Sequence, residues 1–272
     1  MELKECTSSA TITADRVREW ARASLERCSF ERMHLDTVLF AMMSRITELH
    51  RAARLVLEQA PGSVVAAAVL LRSLYESFLV IAYIRTQANS EAEGNDLAKR
   101  YLNFEPYEYV EAIGDDRDAY RSGLSPEEQK NWDRRVEVHD QVKANLTPEQ
   151  KRQRKPTWNG KSIRKTAIAC RFDKQGHDAW YGVQCMINHA SPGMIHNSVT
   201  LDGPYIILGN PQKGDERAAQ WLRKANQLVV LATCFVLGMK NLDLGDHTQN
   251  LFSEVGFDPS HLTTGPVNPW NK

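Results

Sequence analysis

The chain has 272 residues, of which 42% are hydrophobic and 25% charged, a composition that is typical of a folded globular protein and excludes a disordered chain. Lysine plus arginine and aspartate plus glutamate each number 34, so the net charge of zero excludes a general attraction to nucleic acid or to an anionic membrane. The five cysteines are odd in number and form no CxxC pair, which argues against a disulfide framework or structural zinc site and predicts a cytoplasmic location.

The first part of the chain predicts three helices of a bundle core. Thr13 is a candidate N-cap for a helix over 14–28, and apolar residues repeat with the helical period over 33–59. The sequence APGS (60–63) ends that helix, and so short a linker predicts an antiparallel hairpin with the next helix, 63–88. The third helix is apolar almost all round, so we expect it at the centre of the bundle.

The apolar run over 64–84 is long enough to raise the question of a membrane span, since about 20 apolar residues cross a bilayer. Arg72 and Glu76 lie near its middle, however, and each would cost roughly 2.5–3.5 kcal/mol inside a membrane. A second run over 228–238 is too short to cross. We therefore predict buried helices of a soluble protein, with no membrane partner.

Residues 89–160 are more polar and offer few apolar anchors, so they predict a helical insertion on the bundle. An amphipathic helix in this segment should be interrupted or restarted at Pro106. Ser125 followed by Pro126 marks the start of a polar helix, and TPEQ (147–150) marks another capped start.

The last part of the chain predicts a return to the bundle. Its expected elements are short helices at 162–172 and 177–191, a small hairpin or an extended loop near 199–208, a long helix over 216–240 capped by Asp215, and a surface tail over 243–272.

The predicted fold class is all-α, a multi-helix bundle with a polar helical insertion and one small hairpin. We predict a single domain over 1–272, with the bundle core at about 12–88 and 161–240.

Arg72 and Glu76 are the first candidate site residues, because at positions i and i+4 they face the same way in an otherwise apolar helix. Buried ions cost several kcal/mol each unless they are paired and hydrogen-bonded. One interpretation is a structural bridge that sets the helix register. The other is a site wall, with a guanidinium for an anionic group and a carboxylate that orients a histidine.

The segment INHASPGMIHNS (187–198) places His189, Ser191 and His196 around a Pro-Gly break at the end of a helix. Two imidazoles and a hydroxyl at such a place are able to transfer protons or bind a metal. Their spacing matches no standard metal motif, and small polar residues also serve to satisfy the free carbonyls of a helix end. Both interpretations stay open at this point.

The stretch KRQRKPTWNGKSIRK (151–165) is basic throughout and contains an aromatic residue. Trp158, Lys161 and Arg164 are therefore candidates, with Ser191, for contacting a substrate. RNA or a nucleotide is the partner that such a stretch favours, and a solvated loop is the alternative.

The motifs LLRSLYESFLVIAYI, WNGKSIRKTA and WYGVQCMINHASP resemble an uncharacterised, widespread bacterial domain-of-unknown-function family, over roughly residues 35–240. The resemblance implies recurrent polar positions at Arg72, Glu76, Trp158, Gly160, Arg164, Tyr181, His189 and Ser191.

That family is in turn similar in layout to HEPN helical bundles, many of which are metal-independent ribonucleases or toxin and phage-defence components. Those enzymes use an arginine followed by a histidine a few residues later. The chain has four such spacings, none of which coincides with Arg72 and His189: Arg27–His34, Arg45–His50, Arg134–His139 and Arg171–His177.

Our leading hypothesis is a polar pocket that acts on a phosphodiester without metal or cofactor. Arg72 would hold the phosphate, Glu76 would fix the tautomer of His189, and His189 would act as acid or base. Tyr181 and His196 would complete the pocket. The alternatives are a non-catalytic ligand-binding or interaction domain and a metal-dependent hydrolase; a homodimer is open in each case.

Overall fold

The computed structural model describes residues 2–31, 33–59, 64–172, 177–182, 184–185, 199–202, 205–208, 211–244 and 248–256. Within these residues the protein is all-α apart from one two-stranded hairpin, as predicted.

The helices up to residue 169 are, in chain order, α1 (Glu2–Glu26), α2 (His34–Gln59), α3 (Val64–Gln87), α4 (Glu91–Ile113), α5 (Arg117–Ser122), α6 (Pro126–Asn145), α7 (Pro148–Lys151) and α8 (Ile163–Ala169). After them come a π-helical turn (Asp178–Gly182), strands β1 (Val199–Asp202) and β2 (Tyr205–Leu208), α9 (Pro211–Met239) and α10 (Thr248–Val255).

Helix α3 lies at the centre of the bundle, as its apolar sequence predicts. It packs against α2, α4, α8 and α9, and α1 packs along α9. Because α2 and α3 contact each other and only four residues separate them, they run antiparallel. Their facing side chains form the core, with fully buried members that include Leu39, Met43, Ile46, Leu74 and Phe78.

Two helical segments, Ala66–Gln87 and Ala218–Met239, are long and apolar enough to cross a membrane by length and composition alone. Most residues of both are buried inside the protein, where they pack against the other helices of the bundle. Their apolar composition is therefore the composition that core helices require.

Helices α4 and α6 pack against each other and form an outer layer. Helix α4 also contacts α2 and α3, and so connects this layer to the bundle. Ser90 caps α4 by accepting a hydrogen bond from the Glu93 backbone nitrogen, at 3.2 Å. The predicted interruption at Pro106 is wrong, because α4 continues through it. Proline removes one helical N–H, but the packing of α4 on both sides keeps the remaining turns in place.

The predicted starts of α6 and α7 are correct, because both depend on local capping. Ser125 accepts from the Glu128 backbone nitrogen while the Glu128 side chain accepts from that of Ser125. Thr147 and Gln150 make the same reciprocal pair at the start of α7.

Two predicted starts are wrong. Helix α1 begins at Glu2 rather than after Thr13, and its buried face on α9 includes Ala10, upstream of the expected cap. Helix α9 begins at Pro211, and Asp215 lies inside it. Proline is favoured at the first helical position, so the helix starts one turn earlier than the aspartate suggested.

The predicted surface tail is also wrong in part. Helix α10 packs against α1 and α9 and buries Leu251, Phe252 and Val255. Residues 257–272 lie outside the described residues. The predicted hairpin is correct, with β1 and β2 antiparallel and Val199 paired with Leu208.

Candidate functional site

Arg72 and Glu76 form the ion pair that their spacing predicts. Arg72 Nε donates to Glu76 Oε1 at 2.9 Å. The side chains are 28% and 37% exposed, however, so the pair lies at the edge of the apolar helix and not inside the core. The pair is thus accessible to water, which a purely buried bridge would not be.

Tyr181 joins this pair from the π-helical turn. Its hydroxyl donates to the same oxygen, Glu76 Oε1, at 2.7 Å, and the Arg72 guanidinium lies 5.4 Å from the centre of its ring. The hydrogen bond to Glu76 raises the pKa of Arg72, and burial raises the pKa of Tyr181. The group therefore combines a fixed cation, a carboxylate and a neutral phenol.

The histidine beside this group is His177, which the sequence hypothesis did not include. Its Nδ1 lies 2.8 Å from the Tyr75 hydroxyl, and its ring stacks on Tyr181 with centres 5.2 Å apart. We call Arg72, Tyr75, Glu76, His177 and Tyr181 the α3 cluster. His177 belongs to the Arg171–His177 spacing, so one of the four Arg/His spacings contributes a histidine to this cluster, although none of the four contains Arg72 or His189.

The imidazole of His177 is neutral near pH 7, because burial lowers its pKa, and burial also raises the pKa of Tyr75. Either the phenol donates to Nδ1, or Nδ1 carries the hydrogen and donates to the phenol oxygen. In the second tautomer Nε2 is unprotonated. Nε2 has no hydrogen-bond partner among the residues that the structure describes.

Three of the five predicted catalytic residues thus come together: Arg72, Glu76 and Tyr181. His189, His196 and Ser191 lie outside the described residues, so their predicted roles stay predictions. Glu76, which was expected to orient His189, binds Tyr181 instead within the described chain.

One signal in the sequence could have added His177 to the candidate residues. His177, Tyr181 and Cys185 repeat every four residues, which is the same-face spacing that pointed to Arg72 and Glu76.

Another of the Arg/His spacings, Arg134–His139, forms no open site. His139 is buried in α6 with Nε2 2.8 Å from Glu111 Oε1 and Nδ1 2.8 Å from Asp140 Oδ1. Both ring nitrogens therefore already have partners, while Arg134 is exposed to solvent.

Arg164 lies beside the α3 cluster. Its guanidinium pairs with Asp178 at 2.6 Å, and this exposed contact ties α8 to the π-helical turn that carries Tyr181. Asp178 directly follows His177 in the chain, so this contact brings Arg164 to the edge of the cluster.

Trp158 and Lys161 belong to a tight loop near the C-terminal end of α3. Gly160 N donates to Thr157 O at 2.9 Å and Gly160 has φ +71°. A side chain at Gly160 would be strained, and its Cβ would lie 3.3 Å from Gln150 Cγ. The Trp158 ring packs edge to face with Tyr83 and Tyr101, at centre distances of 5.2 and 5.3 Å.

Both loop residues line a cavity of about 670 Å³ between this loop and helices α3, α4, α6 and α7. No member of the α3 cluster lines it. Tyr83 of α3 lines the cavity, and it lies two turns beyond Glu76, or about 10 Å along the helix. The predicted substrate-binding residues therefore divide between two places, with Arg164 at the cluster and Trp158 and Lys161 at the cavity.

Among the described residues, no group of three or more His, Cys, Asp or Glu side chains is arranged to hold a metal ion. The two histidines of the metal hypothesis, His189 and His196, are outside those residues.

A family model described as a family of unknown function (DUF5677) matches residues 36–205. This range contains the α3 cluster, the basic stretch 151–165 and every residue that lines the cavity. No curated protein matches the chain. No solved structure matches it either.

Proposed function

The chain belongs to the DUF5677 family of unknown function, and for it we propose metal-independent acid–base chemistry at the α3 cluster on a phosphodiester of RNA or a nucleotide. Arg72 holds the phosphate and His177 transfers the proton. A toxin or phage-defence role, which a similarity to HEPN bundles would imply, stays a prediction.

One observation carries this proposal. Arg72 uses Nε for Glu76, and its two terminal nitrogens have no partner among the described residues. A guanidinium that is oriented on one edge and free on the other presents two parallel N–H groups, which match two oxygens of a phosphate. Glu76 is itself held by Tyr181, so the guanidinium is fixed in orientation before a ligand arrives.

The proton chemistry follows from the neutral imidazole. With Nδ1–H donating to Tyr75, His177 Nε2 takes the proton of an RNA 2′-hydroxyl. The 2′-oxygen then attacks phosphorus, and the bond from phosphorus to the 5′-oxygen breaks. The leaving oxygen takes a proton from water, and the imidazolium gives its proton to the resulting hydroxide. The products are a 2′,3′-cyclic phosphate and a 5′-hydroxyl.

The basic stretch supports RNA as the substrate. Its exposed cations Lys151, Arg152, Arg154 and Lys155 have no ion-pair partner within the described part of the chain. Unpaired cations on a surface bind a phosphate backbone and release its counterions, without reading the sequence.

The test is cleavage of end-labelled single-stranded RNA in EDTA, with the cyclic phosphate identified by mass spectrometry. We expect Arg72→Gln and His177→Asn each to lower the rate at least about 100-fold, the lower end of what acid–base catalysis contributes. Arg51→Gln is the control, because Arg51 is an exposed arginine of α2 outside the cluster. Absence of cleavage by the natural sequence, or equal rates in all variants, contradicts the proposal.

A non-catalytic ligand-binding or interaction domain is the second candidate, and the burial of two cluster members favours it. Tyr75 is 4% and His177 6% exposed, so their hydrogen bond also serves to attach the π-helical turn to α3. In that case the double variant Arg72→Met/Glu76→Leu keeps the melting temperature and the cellular phenotype. Loss of the phenotype in a folded double variant favours the catalytic proposal.

A further inference from the structure

The cavity beside Trp158 is built mainly by the outer layer of the protein. Helices α4 and α6 form two walls, and α7 with the Trp158 loop forms a third. Its volume of about 670 Å³ falls in the range of roughly 300–1,000 Å³ that small-molecule sites occupy. It is therefore large enough for one small molecule.

The inner surface of the cavity is apolar and aromatic. Tyr83 and Phe104 are buried, and Trp158 is held by its edge-to-face contacts with Tyr83 and Tyr101. Leu97 of α4 adds to this surface. Such a surface suits the flat, weakly polar part of a ligand, such as a heterocyclic ring.

The charges that line the cavity favour an anion. Arg100 and Lys161 have no ion-pair partner among the described residues. The acidic lining residue, Glu149, already pairs with Lys165 at 3.5 Å. Two cations are thus left to balance the charge of a ligand.

Carboxamides supply the remaining polar contacts. The carboxamides of Gln150 and Asn159 are already hydrogen-bonded within the protein. Gln150 Nε2 donates to Thr157 O, and Asn159 Nδ2 donates to Thr166 Oγ1, each at 3.0 Å. Asn103, by contrast, lines the cavity with no hydrogen-bond partner in the described chain. A carboxamide both donates and accepts, which suits the edge of a nucleobase.

We propose that this cavity binds a mononucleotide, with the phosphate at Arg100 and Lys161, the base on the aromatic surface and Asn103 at the edge of the base. The site is separate from the α3 cluster and does not depend on its chemistry. A mononucleotide matches the cavity volume of about 670 Å³, whereas a long RNA strand would extend beyond it.

The test is isothermal titration calorimetry with AMP, GMP, CMP and UMP, and with adenosine and inorganic phosphate as the two halves of the ligand. We expect at least one mononucleotide to bind at least 10-fold more tightly than either half. Binding of phosphate alone at equal affinity, or binding of none of the four, overturns the proposal.

The variant Arg100→Gln/Lys161→Gln should lower the affinity at least 10-fold while circular dichroism shows a folded protein. Its matched control is Lys130→Gln/Arg134→Gln, which removes the same charge from exposed residues of α6 outside the cavity. Equal losses in both variants reveal a general electrostatic effect and overturn the site.

Arg72→Gln separates this inference from the proposed function. It should keep nucleotide binding even if it abolishes RNA cleavage. Loss of nucleotide binding in Arg72→Gln, with binding retained in Arg100→Gln/Lys161→Gln, places the nucleotide at the α3 cluster and overturns the inference.

Discussion

Two polar groups in the helical bundle differ in what they leave free. At the centre, His50 of α2 is 0% exposed, its Nε2 lies 2.7 Å from Asn226 Oδ1 of α9, and Asn226 Nδ2 donates to Ala10 O of α1. The α3 cluster is partly open, and Arg72 keeps free N–H groups among the residues that the structure describes. The His50 group is closed to water and joins helices, although His50 Nδ1 has no hydrogen-bond partner among the described residues. The α3 cluster is open to water and retains the capacity to bind a ligand.

Loss of a second contact that is shielded from water should lower the free energy of unfolding most. Lys240, which directly follows α9, pairs with the buried Asp36 of α2 at 2.9 Å, and the side chains are 17% and 4% exposed. Lys240→Met leaves a buried carboxylate without its cation, so we expect a loss of about 3–5 kcal/mol in urea unfolding. Adding Asp36→Asn should restore part of the loss. A loss below about 1 kcal/mol would show that this pair contributes no more than a solvent-exposed ion pair, as expected for the α3 cluster.

The His50 contact should show the next largest effect, as a dependence of stability on pH. Burial lowers the pKa of His50 to about 4 from its ordinary value of 6.5. The unfolded chain therefore binds a proton more readily, and the stability present above pH 6.5 is lost as the pH falls toward 4.

The contribution of His50 to this loss should be about 3 kcal/mol, at about 1.36 kcal/mol for each pKa unit. Unfolding by urea at about pH 7, 5.5 and 4 measures it, and His50→Gln should flatten the dependence relative to the natural sequence. Identical slopes in the two proteins would show that His50 is not held neutral.

Substitutions in the α3 cluster should lower the stability of the protein least. Tyr181→Phe removes one hydrogen bond to Glu76, which we expect to cost about 1 kcal/mol. Arg72→Gln should cost less than about 1 kcal/mol, because water solvates the freed Glu76. Melting temperatures measure both. If Arg72→Gln costs as much as Lys240→Met, the α3 cluster is a bridge of the fold rather than a site.

The sequence predicted the elements whose signals are local. Helices α6 and α7 begin where a capping pair lies three residues apart, and α2 follows a continuous apolar period. The prediction at Pro106 was wrong because packing overrode local preference, since α4 is held on both sides through its proline. The prediction at Asp215 was wrong because an earlier local signal, Pro211, starts α9.

The site was predictable to the same degree and for the same reason. Arg72 and Glu76 share one helix, so their spacing alone showed that they meet. Tyr75 and His177 are 102 positions apart, and no local pattern indicates a contact across that separation. The cavity needs α4, α6 and the Trp158 loop at once, so only the assembled fold reveals it.

The turn at Gly160 limits how this part of the protein can evolve. Its φ is +71°, and a Cβ added there would lie 3.3 Å from Gln150 Cγ, so a substitution would distort the loop before it altered any chemistry. The next residue, Lys161, has no such restriction. We therefore expect position 161 to tolerate substitution and position 160 to require glycine.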